Sequence, residues 1–252
     1  MKALLLCAGY GTRLYPLTMD KPKHLLEVGG KPILEHILCK IQDIEAIDSI
    51  YLITNAKFFF HFLEWAQEYA IKNPQAKRVI VINDGTQSND SRLGALGDIL
   101  FAVRKKAIKD DILLIAADNL FEFSLDEMRK SFEKTHKTTI ALYDVKKIDL
   151  ARHYGVVEAD TEGKLTHFVE KPQHPKSTLI STGIYMIPKR DLTLLELYVK
   201  YGYSTDKIGS FFEWLHKKES VYCHVTHEPW YDIGTLEQLE EANRYFQKEE
   251  AL

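Results

Sequence analysis

Lys2-Ala3-Leu4-Leu5-Leu6-Cys7 runs straight into Ala8-Gly9-Tyr10-Gly11-Thr12-Arg13-Leu14-Tyr15-Pro16-Leu17-Thr18 and closes on Lys21-Pro22-Lys23. The first six residues have the short apolar pattern of a buried strand. Such a strand delivers the loop after it to one edge of a sheet. Gly9 and Gly11 let the backbone approach a phosphate chain and present N–H donors to it, while Arg13 and Lys23 supply fixed positive charge. The stretch therefore predicts an α/β sheet whose first loop handles a polyphosphate.

Two better-known phosphate loops fail on particular residues. A dinucleotide fingerprint G-x-G-x-x-G would need glycine at position 14, where Leu14 stands, and the strand predicted at 49–54 ends without the ribose-binding acid. A Walker loop needs Gly-Lys followed by Ser or Thr, and Gly30-Lys31 is followed by Pro32. By itself, G-x-G after a strand fits a plain strand-to-helix turn equally well.

Taken with Arg13, Pro16 and Lys23, the run resembles the signature of the sugar-nucleotide pyrophosphorylases. These nucleotidyltransferases join a sugar 1-phosphate to a nucleoside triphosphate, and they include the glucose-1-phosphate thymidylyltransferases. Their pattern, L-A-[GA]-G-x-G-T-R-L-x-P-[LV]-T-x-x-x-P-K, is met at Leu6, Ala8, Gly9, Gly11, Thr12, Arg13, Leu14, Pro16, Thr18, Pro22 and Lys23, with Cys7 in place of an alanine. The resemblance implies a Rossmann-like fold: a mainly parallel mixed sheet covered by helices on both faces, with an antiparallel sugar-side elaboration. It also implies that Leu6, Ala8, Gly9, Gly11 and Thr12 line the nucleotide site.

Composition sets outer bounds. At 252 residues and 45% hydrophobic content, the chain can bury one substantial core. A formal charge of −3 and the lack of a long basic run point away from nucleic acid. Three widely separated cysteines (Cys7, Cys39, Cys223), with no C-x-x-C, argue for reduced thiols in a cytoplasmic protein and against a zinc site. The start of the chain lacks a basic-then-apolar leader, and no apolar run is long enough for a membrane span. We therefore expect one nucleotidyltransferase domain over 1–252, mainly nucleotide-binding through 117 and mainly sugar- and metal-binding from 118. It would be the short form, without a hexapeptide-repeat β-helix. The sequence leaves a homo-oligomer open.

Periodicity predicts helices over 32–46, 57–72, 96–108, 189–200, 206–218 and 235–249. It predicts strands over 49–54, 78–83, 112–117, 138–144, 155–159, 165–170 and 180–187. Asp160–Gly163 reads as a hairpin turn. The βαβα rhythm of the first half puts any ligand at the carboxyl ends of its strands.

Asp118 follows the apolar run Ile112–Ala117, and Asp232 lies in Trp230-Tyr231-Asp232-Ile233-Gly234-Thr235. As isolated residues, both fit turn or helix-entry roles. The resemblance instead implies a Mg²⁺ pair, the second through the family's W-x-D-x-G-T segment. It likewise implies a sugar site from Tyr154-Gly155, Glu170-Lys171-Pro172 and Gly183, with Lys171 on the sugar phosphate. Leu93-Gly94-Ala95 resembles the segment that backs onto the base. Asn89, five residues before Gly94, stands where members often carry Gln or Glu, and Gln87 is a neighbouring candidate. The ten histidines show no H-x-x-x-H metal spacing, and Phe58-Phe59-Phe60 with Trp65 reads as packing.

The expected chemistry is in-line displacement at the α-phosphorus of dTTP or UTP. Arg13, Lys23 and Lys171 are the catalytic cations, and no general base is needed. The alternatives are a cytidylyltransferase acting on an alcohol phosphate such as phosphocholine, or a regulatory module that binds without catalysis. A nicotinamide dehydrogenase already fails at Leu14.

Overall fold

The computed structural model describes residues 1–249. In chain order the first half carries β1 (Lys2–Leu6), β2 (Glu27–Val28), β3 (Lys31–Pro32), α1 (Ile33–Gln42), β4 (Ser49–Thr54), α2 (Phe59–Lys72), β5 (Val79–Asn83), α3 (Ala95–Lys105) and β6 (Ile112–Ala116). Then come β7 (Asn119–Phe121), α4 (Leu125–Thr135), β8 (Thr139–Asp144), α5 (Ile148–Ala151), β9 (Gly155–Ala159), β10 (Leu165–Glu170) and β11 (Leu179–Ile187). The chain finishes with α6 (Lys189–Lys200), α7 (Ile208–Leu215), β12 (Tyr222–Thr226), β13 (Trp230–Asp232) and α8 (Leu236–Glu249). This is the expected α/β class.

Two compact units interleave along the chain. One contains Met1–Arg92, Ile115–Glu122 and the described residues from Pro229. The other contains Leu93–Leu114 and Phe123–Glu228.

In the first unit β1 pairs in parallel with β4, and β4 with β5. The interior includes the apolar run of β1 and β4 (Leu4, Leu5, Ile50, Leu52, Ile53) and the buried face of α1 (Leu34, Ile37, Leu38 and Ile41). The predicted strand at 49–54 is found as drawn. The helix predicted over 32–46 stops at Gln42, and the apolar residues beyond it, Ile44 and Ile47, are buried from a turn instead. Phe58 and Phe62 are fully buried while Phe60 is exposed, so α2 packs by one face only.

In the second unit β9 and β10 form the expected antiparallel hairpin, closed by Asp160–Gly163 with Gly163 at φ 77°. β11 runs antiparallel to β8, and β12 joins β8 in parallel. α4 lies outside the helices expected from periodicity, although Leu125, Met128 and Phe132 are buried at helical spacing and Ser124 caps the helix by accepting from the Glu127 N–H. β7, β12 and β13 are likewise additional to the expected strands; their short runs become strands only through partners far along the chain. The helix predicted over 206–218 is shorter, Ile208–Leu215. Among the described residues, no helix is long and apolar enough to cross a membrane.

Candidate active site

Every predicted residue before Arg92, together with both carboxylates, falls in the first unit. Half-buried Leu6 ends β1. The loop after it is pinned at both ends: Asn55 Nδ2 donates to the Ala8 carbonyl at 2.9 Å, and Thr18 Oγ1 donates to the Gly11 carbonyl at 2.7 Å. Gly11 sits at φ 63°, the left-handed region that disfavours side chains. Gly9 is exposed, with nothing within 4 Å of where a Cβ would stand. That leaves its backbone open to a ligand. Thr12 and Arg13 lie on the exposed turn that follows.

Strand pairing sets the backbones at Asp118 and Asp232 side by side. β13 runs antiparallel to β7 with Asp232 opposite Asn119, and the Ile233 N–H donates to the Asp118 carbonyl at 2.9 Å. Lys23 Nζ reaches Asp118 Oδ2 at 2.7 Å, while Asn119 Nδ2 holds Oδ1 at 3.0 Å. The Lys23 side chain is only 9% exposed and that of Asp118 30%. Burial would raise the Asp118 carboxyl, but the Lys23 ammonium, by charge and by hydrogen bond, holds it below its ordinary value. Asp118 is thus kept ionised.

Arg13 completes the group. A methyl at Gly234 would lie 2.9 Å from Arg13 Nη2, so the guanidinium rests against a glycine two residues after Asp232. Sequence reading singled out Asp232 in this motif and passed over Gly234. Its signal was only the missing side chain, whose purpose depends on a neighbour at position 13.

Two titratable neighbours are inert. Burial, with Lys23 adding and Asp118 opposing, drops His24 to about 3, so it is neutral. Burial, with Asp118 adding and Lys23 opposing, pushes the Cys7 thiol well above its usual range. Neither serves as a base or a nucleophile.

A metal would find hard oxygen donors at Asp118 and Asp232. Among the described residues no group of three or more His, Cys, Asp or Glu side chains could hold an ion. Two carboxylates completed by phosphate oxygens and water is a donor set that suits Mg²⁺.

Asn89 is exposed in a short turn built by a Ser88–Ser91 capping box, and Gln87 is exposed beside it. Closer to the loop, the Tyr10 hydroxyl lies 3.4 Å from Thr86 Oγ1, a contact that residue patterns did not suggest.

The second unit holds the remaining predicted residues. Glu170 stands opposite Gly155 in the β9–β10 register, and the Lys171 N–H donates to the Tyr154 carbonyl at 3.0 Å. Thus the Tyr154-Gly155 and Glu170-Lys171 motifs are one structural feature, the open end of a hairpin. Lys171 is exposed with φ 51°. Glu170 is half-buried, and burial raises its carboxyl; Lys171 and Lys207 oppose that and Glu213 adds to it. Gly183, at φ 80°, sits where the β11–β8 register shifts. Gly94, at φ 78°, faces its own chain: a Cβ there would lie 2.5 Å from the Thr205 carbonyl oxygen. Ala95 and Leu96 N–H groups donate to the Asp206 and Thr205 carbonyls, so the 205–206 backbone caps α3.

The chain spans about half the length of the first curated relatives it matches. It is 32% identical over 245 residues to the bifunctional protein GlmU of Methanocaldococcus jannaschii, covering 97% of this chain and 54% of that protein. It is 29% identical over 250 residues to the UTP–glucose-1-phosphate uridylyltransferase AglF of Haloferax volcanii, covering 99% and 98%. A UDP-glucose pyrophosphorylase solved with UDP-glucose has the same fold, with TM-score 0.82, 21% identity and 98% of both chains covered. So has a UTP-bound UGPase from Acinetobacter baumannii, with TM-score 0.79, 21% identity and 98% and 93% covered. Residues 2–249 match the family described as Nucleotidyl transferase, and with the pinned glycine loop and its paired aspartates this chain belongs to that family.

Proposed function

We propose that this chain transfers the nucleotidyl group of UTP or dTTP to a sugar 1-phosphate, giving an NDP-sugar and pyrophosphate, with Mg²⁺ as cofactor. The observation that carries the reading is the pairing of β7 with β13, which sets the Asp118 and Asp232 backbones side by side, with Lys23 on the Asp118 carboxylate and Arg13 against Gly234. The uridylyltransferase activity of the Haloferax relative, which aligns with 99% of this chain, supports it.

The nucleophile is a phosphate oxygen of the sugar 1-phosphate, already anionic at neutral pH. It attacks the α-phosphorus in line, the bond to the bridging oxygen breaks, and pyrophosphate leaves with the electron pair. No proton has to be moved, in keeping with a neutral, buried His24. The protein's task is to hold two anions together and stabilise the crowded charge. Gly9 and Gly11 bring backbone to the triphosphate, Arg13 and Lys23 take up charge on the triphosphate and the leaving group, and Lys171 takes the sugar phosphate. Tyr154, Gly155, Glu170 and Gly183 receive the sugar, and Asn89 and Gly94 lie on the base side. Bound at Asp118 and Asp232, Mg²⁺ would neutralise phosphate oxygens as a Lewis acid.

Purified protein incubated with a panel of sugar 1-phosphates, each NTP and Mg²⁺ should release pyrophosphate with UTP or dTTP and a hexose 1-phosphate. Release only from CTP and phosphocholine would replace the sugar with an alcohol phosphate. No release from any pair would sink the catalytic reading.

A further inference from the structure

α7 packs on β10 within the second unit. Four aromatic rings pack around that contact: Phe212 stacks on Tyr185 of β11 with centroids 4.3 Å apart, Phe168 lies 6.4 Å from Phe212, and Phe211 and Phe212 are fully buried. Where α7 crosses the end of β10, its second residue is Gly209. A Cβ built there would fall 1.9 Å from Glu170 Oε2, 2.8 Å from Glu170 Cδ and 3.2 Å from a Phe168 ring carbon. The residue is helical and needs no unusual backbone angle, so what a side chain at position 209 would disturb is the carboxylate in front of it.

From the other side, a Cβ at Gly155 would fall 3.2 Å from the same oxygen and 2.5 Å from the Phe168 ring. The Glu170 carboxylate thus lies in a slot between two glycines. Glu213, one turn along α7, receives the Glu170 backbone N–H at 3.5 Å and closes the end of the slot. The two glycines leave room for the carboxylate in this slot, and among the described residues no hydrogen bond uses up its acceptor capacity toward a ligand.

We propose that Gly209 is a positioning residue for the acceptor: by leaving its side-chain space empty, it fixes the Glu170 carboxylate in the orientation that accepts hydrogen bonds from the sugar hydroxyls. The inference rests on the sugar 1-phosphate reading above. Gly209 touches no substrate and acts only through Glu170. A methyl group at 209 must turn the carboxylate away, and a hydrogen bond to a charged acceptor is worth roughly tenfold to a hundredfold in binding.

The test is a double-mutant cycle on the protein with UTP or dTTP, a sugar 1-phosphate and Mg²⁺, read by pyrophosphate release and by thermal melting. Gly209→Ala should raise the KM for the sugar 1-phosphate roughly tenfold or more, with the KM for the nucleotide within about twofold. Glu170→Ala should do the same. In the Glu170→Ala background the extra methyl has room, so the double variant should match Glu170→Ala in both sugar KM and melting temperature. An unchanged sugar KM in Gly209→Ala, additive effects in the double variant, or an equal rise in nucleotide KM would overturn the inference and leave the activity standing. No turnover by the unaltered protein with any sugar 1-phosphate would remove the activity and this inference together.

Discussion

Arg13 and Lys23 carry the same charge in the same loop region, yet removing them should have unequal effects on stability. Arg13 is exposed, so Arg13→Ala loses no buried partner and should stay within about 0.5 kcal/mol of the unaltered protein. Lys23 is 9% exposed and sits 2.7 Å from Asp118 Oδ2. Lys23→Met leaves that carboxylate without its counter-charge. Stranding a fully buried charge costs about 3–5 kcal/mol. Because Asp118 is 30% exposed, water can take part of the charge, and the expected loss falls to about 1–3 kcal/mol. At this chain length, each kcal/mol shifts the melting temperature by about 2–4 °C. Both variants should nevertheless lose turnover on the order of 10²–10³-fold, the usual effect of deleting one group that stabilises developing charge. Denaturant titration gives the first number and pyrophosphate release the second. If Lys23→Met were as stable as Arg13→Ala, the Lys23–Asp118 pair would have no structural weight. If Arg13→Ala retained near-normal turnover, its assignment to the triphosphate would fall.

Three further outcomes follow from particular contacts. Gly94→Ala should destabilise the protein by at least about 2 kcal/mol, because φ 78° and a Cβ 2.5 Å from the Thr205 carbonyl oxygen are both incompatible with a side chain; a denaturant midpoint shift checks it. Burial raises the Glu170 carboxyl, so its ionised form weakens the fold above that raised value and is lost as pH falls through it. The sugar 1-phosphate KM should therefore rise on acidification starting above the ordinary glutamate range, and Glu170→Gln should abolish that rise while melting slightly higher at neutral pH. Chelation of Mg²⁺ should stop pyrophosphate release, and melting without substrates should be unchanged, since two carboxylates without phosphate oxygens hold the ion weakly; a melting shift on chelation alone would show a tighter metal site.

Local order in this chain is written locally. The apolar run Lys2–Leu6, the loop glycines and the amphipathic spacing of α1 and α2 each decide their own conformation within a few residues, so the α/β rhythm and the glycine loop after β1 were legible in the sequence. The family pattern extended that to Asp118 and Asp232, residues whose isolated chemistry fits a turn equally well. Tertiary structure decided what depends on distant partners: that β7 and β13 pair to bring the aspartates together, that Gly234 makes room for Arg13, and that Gly209 makes room for Glu170. A three-residue strand has too few side chains to announce itself, and a glycine records only that something else needs its space. Which group fills that space is set by packing across the fold, and no window of sequence contains both sides of the contact.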